Sequence, residues 1–174
     1  MSEAPRQGPP AEHQALAPAR VRCAVITVSD TRTVETDEGG RTIASALEAG
    51  GHDVTRRAIV RDDVHAIRAA LEGALEDASI DAAIATGGTG IARRDSTYEV
   101  VAALLEKRLD GFGELFRWLS YQEIGPAAML SRAVAGAARG KVLAALPGSP
   151  SACRLAMEKL LVPELPHMVQ QVRK

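Results

Sequence analysis

The spacing of apolar positions changes several times along this chain, and each change predicts an element. Residues 21 to 28 (VRCAVITV) are a nearly continuous apolar run that ends in Ser29-Asp30, the pattern of a strand buried on both faces of a parallel sheet. Gly40 to Ala49 reads as a helix, and Asp53 to Val60 as a more polar strand closed by Asp62-Asp63. Val64, Ile67, Leu71, Leu75 and Ala78 keep the spacing of one helix face, and Ile80 to Ala85 forms a third strand. Thr97 to Lys107 reads as a helix. An amphipathic stretch with Phe112, Leu115, Phe116, Leu119 and Ile124 follows, ended by Gly125-Pro126. Arg132 to Ala137 and Lys141 to Leu146 flank Ala138-Arg139-Gly140 as a hairpin. Ser149 is placed to cap a helix over Ser151 to Leu161 with Pro150 in its first turn, and Pro163 restarts a shorter helix.

Strand and helix alternate three times before the hairpin, which predicts a three-layer α/β/α domain with a mostly parallel, mixed central sheet and right-handed crossovers. Ligands of such sheets bind at the carboxyl ends of the strands. The polar segments at those ends are Ser29-Asp30, Asp62-Asp63, Thr86 to Asp95 and Pro147 to Pro150, so residues far apart in sequence are expected to share one rim. Residues 1 to 20 hold four of the nine prolines and no periodic apolar face. They read as a disordered or draped tail ahead of a single domain over residues 21 to 174.

Composition narrows the function classes. With 46% hydrophobic but only 3% aromatic residues, the core must be built from Ala, Val, Leu and Ile. Four of the five aromatic residues, Phe112, Phe116, Trp118 and Tyr121, fall in one stretch, more apolar surface than one side of a short helix buries, so part of it is expected to face another subunit. The 21 basic and 22 acidic residues leave no global field to steer the protein to nucleic acid or anionic lipid. No apolar run approaches the ~20 residues of a membrane span, and a cytoplasmic location is expected. Cys23 and Cys153 lack CxxC spacing and read as reduced core thiols. His13, His52, His65 and His167 lack the i,i+4 pairing of a helical zinc site and read as surface residues.

The most specific chemistry lies in Ile84 to Thr97 (IATGGTGIARRDST), where an apolar run opens into glycines, hydroxyls and charges. Gly87, Gly88 and Gly90 let the backbone take positive φ and bring successive N–H groups onto phosphate oxygens. Asp95 follows two arginines and could hold a magnesium ion that bridges phosphates, which together points to phosphoryl or nucleotidyl transfer. The plainer alternative is a strand-to-helix turn with Ser96 and Glu99 as a capping box. A P-loop is excluded because Gly-Lys-Ser/Thr is missing, and a dinucleotide fingerprint because Arg93 follows Gly88-Thr89-Gly90-Ile91-Ala92.

From about Arg22 onward the chain resembles the MoaB/MogA family of molybdenum cofactor biosynthesis proteins. The resemblance rests on Val25-Ile26-Thr27-Val28-Ser29-Asp30, Thr86-Gly87-Gly88-Thr89-Gly90 with Arg94-Asp95, Gly111-Phe112-Gly113-Glu114, Leu130-Ser131-Arg132 and Leu146-Pro147-Gly148-Ser149. Leu119-Ser120 with Glu123-Ile124-Gly125 looks closer to the MoaB branch. The resemblance implies a trimer or hexamer that binds molybdopterin and adenylylates it with Mg-ATP, giving adenylyl-molybdopterin and pyrophosphate. It implies Asp95 and Asp62 as the catalytic and magnesium-binding carboxylates. Thr86, Gly87, Gly88, Thr89 and Gly90, with Pro147, Gly148 and Ser149, would cradle nucleotide and pterin phosphates. Ser29 and Asp30 would lie on the same rim, and Arg94 would offset phosphate charge. Two positions depart from the family pattern: Tyr98 and Arg61 stand where proline is common, which predicts a looser helix start and a less rigidly aimed Asp95. Two alternatives are a molybdopterin-binding scaffold without transfer activity and a CinA-type hydrolase of pyridine nucleotides or ADP-ribose. Other cofactor-biosynthesis proteins are possible partners.

Overall fold

The computed structural model describes residues 17–174; His13 and nearly all of the tail expected over residues 1 to 20 lie outside them. Six strands form one sheet in the order β2-β1-β3-β6-β5-β4. β1 (Arg22–Val28), β2 (Asp53–Val60), β3 (Ala82–Thr86) and β6 (Lys141–Leu146) are parallel neighbours. β5 (Val134–Ala138) and β4 (Lys107–Arg108) add antiparallel pairs at one edge. The hairpin between β5 and β6 turns at Arg139 and Gly140, with φ of 51° and 72°, the two positive angles of a turn whose twist matches its strands.

Successive residues of β1 feed opposite faces. Cys23 and Val25 pack beneath α1 (Glu38–Ala49), α4 (Asp110–Ile124), α5 (Pro150–Ala156) and α6 (Val162–Val172), while Ala24, Ile26 and Val28 pack beneath α2 (Val64–Glu76) and α3 (Thr97–Leu104). The three layers predicted from alternation are therefore present, built largely from aliphatic side chains. Phe112 and Phe116 enter the first core, stacked at 6.4 Å. Leu115, Trp118 and Tyr121 of the same helix point outward, each more than half exposed. Among the described residues no helix is long and apolar enough to cross a membrane.

Three expectations need correction. The helix predicted through Lys107 stops at Leu104, and Lys107–Arg108 pairs with β5 as an edge strand; a two-residue, fully charged edge has no alternation to read. The helix expected to restart at Pro163 is continuous with the one before it. A π turn at Met157–Leu161 joins α5 to α6, and Pro163 follows that turn inside the continuous helix. His52 is buried, not superficial, and its Nδ1 accepts the Val21 N–H at 3.4 Å.

Candidate functional site

The carboxyl ends of β1, β2, β3 and β6 deliver the predicted segments to one rim. Gly87 follows β3 with φ of 90°, and a Cβ there would collide with the Val28 carbonyl of β1, so only glycine lets the strands converge at this point. The Gly87 N–H donates to the Leu146 carbonyl of β6 at 3.1 Å. Thr86 Oγ1 donates to the Pro147 carbonyl at 2.9 Å. Thr86 and Pro147 thus lock the β3 and β6 loops together, and a Cβ on Gly148 would sit 3.2 Å from the Gly87 Cα.

Asp63, at the start of α2, caps that helix through the His65 and Ala66 N–H groups at 3.0 and 2.9 Å. Its neighbour Asp62 is thereby left to face Gly88. A Cβ on Gly88, where φ is 62°, would lie 2.5 Å from Thr97 Oγ1 and 3.1 Å from Asp62 Oδ1. Asp62 Oδ1, Ser96 Oγ and Thr97 Oγ1 are all buried without a hydrogen-bond partner among the described residues. Such orphaned oxygens are uncommon in a folded protein and mark a place where another group completes the bonding. Burial pushes the Asp62 carboxyl up from its ordinary range, with Asp95 and Asp30 adding to the rise and Arg94 and the Ser96 backbone opposing it.

The loop presents its amides in a compatible way. The Gly88 carbonyl accepts from the Thr97 N–H at 2.9 Å, whereas no described residue accepts the N–H groups of Gly88, Thr89 or Gly90. Asp95 folds back over Gly90, and its Oδ2 accepts the Ala92 N–H at 3.0 Å. Arg94, 76% exposed, approaches Asp30 at 3.9 Å, close to the solvated partner that a surface arginine often is. Asp30 also accepts the Asp62 N–H at 3.2 Å. The capping-box alternative is not realised: Ser96 makes no side-chain cap, and Glu99 pairs with Arg132 instead.

A cleft of about 190 Å³ adjoins this cluster, lined by Ser29, Arg32, Asp37, Gly39, Thr86, Gly87 and Gly148 among others. Its wall is the amino end of α1, where Asp37 caps the Gly40 N–H at 2.8 Å and accepts from Thr27 Oγ1 at 2.9 Å. Ser29 Oγ accepts the Thr31 and Arg32 N–H groups, and Ser149 Oγ caps α5 through Ala152 at 3.4 Å. The hydroxyls of Ser29 and Ser149 therefore shape their loops, and Thr89 is buried. Cys153, beneath Thr86, has its thiol pushed up to about 11, chiefly by burial, which makes it an inert core group. Sequence reasoning missed Asp37 and gave no role to Thr97, which closes the glycine-rich segment, or to Arg132, which it quoted only as a marker of the resemblance. Asp37 carried the signal of a cap three residues before a glycine amide, and Thr97 opened a predicted helix without a sign that its hydroxyl would stay unpartnered.

Among the described residues no three His, Cys, Asp or Glu side chains converge as a metal cage. Magnesium held with substrate phosphates needs only one or two carboxylates. The buried, unpartnered Asp62 oxygen beside Asp95 fits such a hard cation.

A mostly parallel α/β domain with a glycine loop of open amides and two aspartates at its strand ends has the architecture on which nucleotide- and phosphate-handling proteins are commonly built. Within that class the match is specific: residues 24–167 match the family described as "Probable molybdopterin binding domain". The chain belongs to the MoaB/MogA family of molybdenum cofactor biosynthesis proteins, on its MoaB side. It is 49% identical over 164 residues to molybdenum cofactor biosynthesis protein B of Halalkalibacterium halodurans, covering 94% of this chain and 96% of that protein. A crystal structure of molybdenum cofactor biosynthesis protein B superposes with a TM-score of 0.86 at 48% identity, covering 88% of this chain and 96% of that one. The tungsten cofactor synthesizing protein MoaB from Pyrococcus furiosus superposes at 0.82 and 37% identity, covering 91% and 100%.

Proposed function

We propose that this protein binds molybdopterin and Mg-ATP at the glycine-loop rim and transfers the adenylyl group between them. A terminal phosphate oxygen of molybdopterin attacks the α-phosphorus of ATP, the new P–O bond forms as the bond to the bridging oxygen breaks, and pyrophosphate leaves. Catalysis of this kind rests on alignment and charge stabilisation rather than a covalent intermediate. The Gly88, Thr89 and Gly90 amides and the Ser96 and Thr97 hydroxyls supply donors to phosphate oxygens. Asp62 and Asp95 would hold the magnesium ion, which when bound neutralises charge building on the phosphates. Arg94, weakly held by Asp30, is free to turn toward an anion. The cleft lined by Ser29, Gly87 and Gly148 is the adjoining space for the second substrate.

The observation that carries this reading is the pair of unpartnered oxygens, Asp62 Oδ1 and Thr97 Oγ1, that face Gly88, with the unpartnered Ser96 hydroxyl next to Thr97 in sequence. The test is incubation of purified protein with Mg-ATP and molybdopterin, followed by mass spectrometry. Formation of adenylyl-molybdopterin supports transfer. Binding of molybdopterin without product supports the scaffold reading, which one feature favours: Asp95 is already engaged by the Ala92 N–H.

Assembly is part of the same proposal. Leu115, Trp118, Tyr121, Ile124, Met129 and Leu130 form an exposed apolar set on α4 and the 3-10 turn after it. This set is the interface of a homo-oligomer, a trimer or hexamer as the family resemblance implies. Light scattering should report more than one subunit at micromolar concentration, and Trp118→Glu should split the assembly with helix content unchanged. A wild-type monomer contradicts it.

A further inference from the structure

Arg132, just before β5, carries no role in the reading above, yet its guanidinium makes three contacts at the end of the glycine loop. Nη1 donates to the Gly90 carbonyl at 3.1 Å. Nη2 pairs with Glu99. The guanidinium also lies over the Tyr98 ring, 4.2 Å from its centroid. Arginine is the one side chain that can make all three contacts together, because its rigid planar fork donates in two directions while its face stacks on an aromatic ring. The side chain is only 25% exposed, so these contacts are shielded from solvent more than a surface ion pair is.

The attachment point matters. Asp95 packs on Gly90, and Tyr98 and Glu99 form the first turn of α3. The Thr97 N–H already holds the Gly88 carbonyl at 2.9 Å. With Arg132 on the Gly90 carbonyl, both glycine carbonyls are drawn to α3 and β5. In a trans peptide the N–H points opposite to the carbonyl, so each hold also fixes the direction of the next amide, Thr89 in one case and Ile91 in the other. Tyr98 lacks the fixed φ of proline and instead contributes the platform on which Arg132 rests.

We propose that Arg132, stacked on Tyr98, is a positioning residue that holds the Gly90 peptide, and with it the Asp95 carboxylate and the loop amides, in the anion-binding arrangement. The ring face of Tyr98 carries this role, not its hydroxyl. The kinetic consequence rests on the adenylyl-transfer reading; the effect on loop order does not.

The test compares Arg132→Ala, Arg132→Lys, Tyr98→Phe and Tyr98→Leu with the wild-type chain. Backbone ¹⁵N relaxation of the ligand-free protein reads loop order directly. Order parameters over residues 88–92 should fall from about 0.85 to below about 0.6 in Arg132→Ala, Arg132→Lys and Tyr98→Leu, and stay near the wild-type value in Tyr98→Phe. Thermal midpoints should move by less than about 4 °C. With Mg-ATP and molybdopterin, kcat should drop at least about tenfold in the first three variants, with KM changing less, because alignment and not affinity is lost. Arg132→Lys guards against a folding defect in Arg132→Ala, since it keeps charge and length. Unchanged order over residues 88–92 in both Arg132 variants overturns the proposal, as does Tyr98→Phe behaving like Tyr98→Leu. A wild-type protein that yields no adenylyl-molybdopterin removes the transfer reading alone and leaves the relaxation comparison to decide the role of Arg132.

Discussion

Asp81 stands at the amino end of β3 and Asp62 just past the carboxyl end of β2, and the fold surrounds the two carboxylates differently. Asp81 accepts from the Arg22 backbone N–H at 2.9 Å, from Arg22 Nε at 3.0 Å and Nη2 at 2.6 Å, and from Arg173. Burial by itself would raise its pKa, but the Arg22 hydrogen bonds and then Arg173 outweigh that and hold the carboxyl at about 2. Asp62 has a buried oxygen with no partner, and its pKa is pushed up by burial and by Asp95 and Asp30. A chain under selection for stability alone has no reason to leave the second carboxylate short of bonds. The amino end of the sheet is therefore built to hold, and the unpartnered carboxylate at the carboxyl end supports the proposal that this end receives a ligand.

The largest effect should come from breaking the satisfied end. Asp81→Ala leaves two arginines without their shared acceptor, and urea unfolding should show a loss of about 3 kcal/mol. A loss below about 1 kcal/mol would erase the contrast. A related effect appears with pH. Because the folded pKa of Asp81, about 2, lies below its unfolded value, its stabilisation is present above about pH 4 and is lost as pH falls toward 2, amounting to about 1–2 kcal/mol after allowance for the partly exposed arginines. The acid limb of the stability curve should flatten by that amount in Asp81→Ala, whereas Asp62→Asn, which removes a carboxyl whose folded pKa is raised, should leave it slightly steeper.

At the receiving end, Asp95→Asn should keep the fold and cut adenylyl transfer at least about tenfold, roughly 1.4 kcal/mol of transition-state stabilisation. Unchanged turnover would remove Asp95 from the proposed metal site. Arg94→Gln should have the smallest effect on stability, under about 0.5 kcal/mol, because its ion pair with Asp30 is long and exposed. A larger change would show that Arg94 holds the loop even without ligand.

Much of this arrangement is legible in the sequence for physical reasons. β1, β3 and β6 are fully or nearly fully buried aliphatic runs, and each ends where polar residues begin, so both the layers and the rim follow from hydrophobic pattern. The charged edge strand at Lys107–Arg108 and the π turn at Met157–Leu161 were hidden, since neither has a period of its own. Within the site, Gly88, Gly90 and Asp95 could be named from motif chemistry, and Asp62 only from the family resemblance. Thr97 and Arg132 could not, because their roles depend on a contact across the loop that spacing does not encode. Likewise nothing in the sequence distinguishes Asp63 as the cap from Asp62 as the unpartnered group; only the direction of the backbone after β2 does.

The contrast between the two carboxylates is tested most directly on Asp62→Asn, by measuring unfolding free energy and adenylyl-molybdopterin formation on the same preparation. The unpartnered oxygen means that stability should hold or rise by up to about 1 kcal/mol, while product formation falls at least about tenfold. A loss of about 2 kcal/mol or more in stability, or product formation at the wild-type rate, would contradict the assignment of this end of the sheet to ligand binding and catalysis.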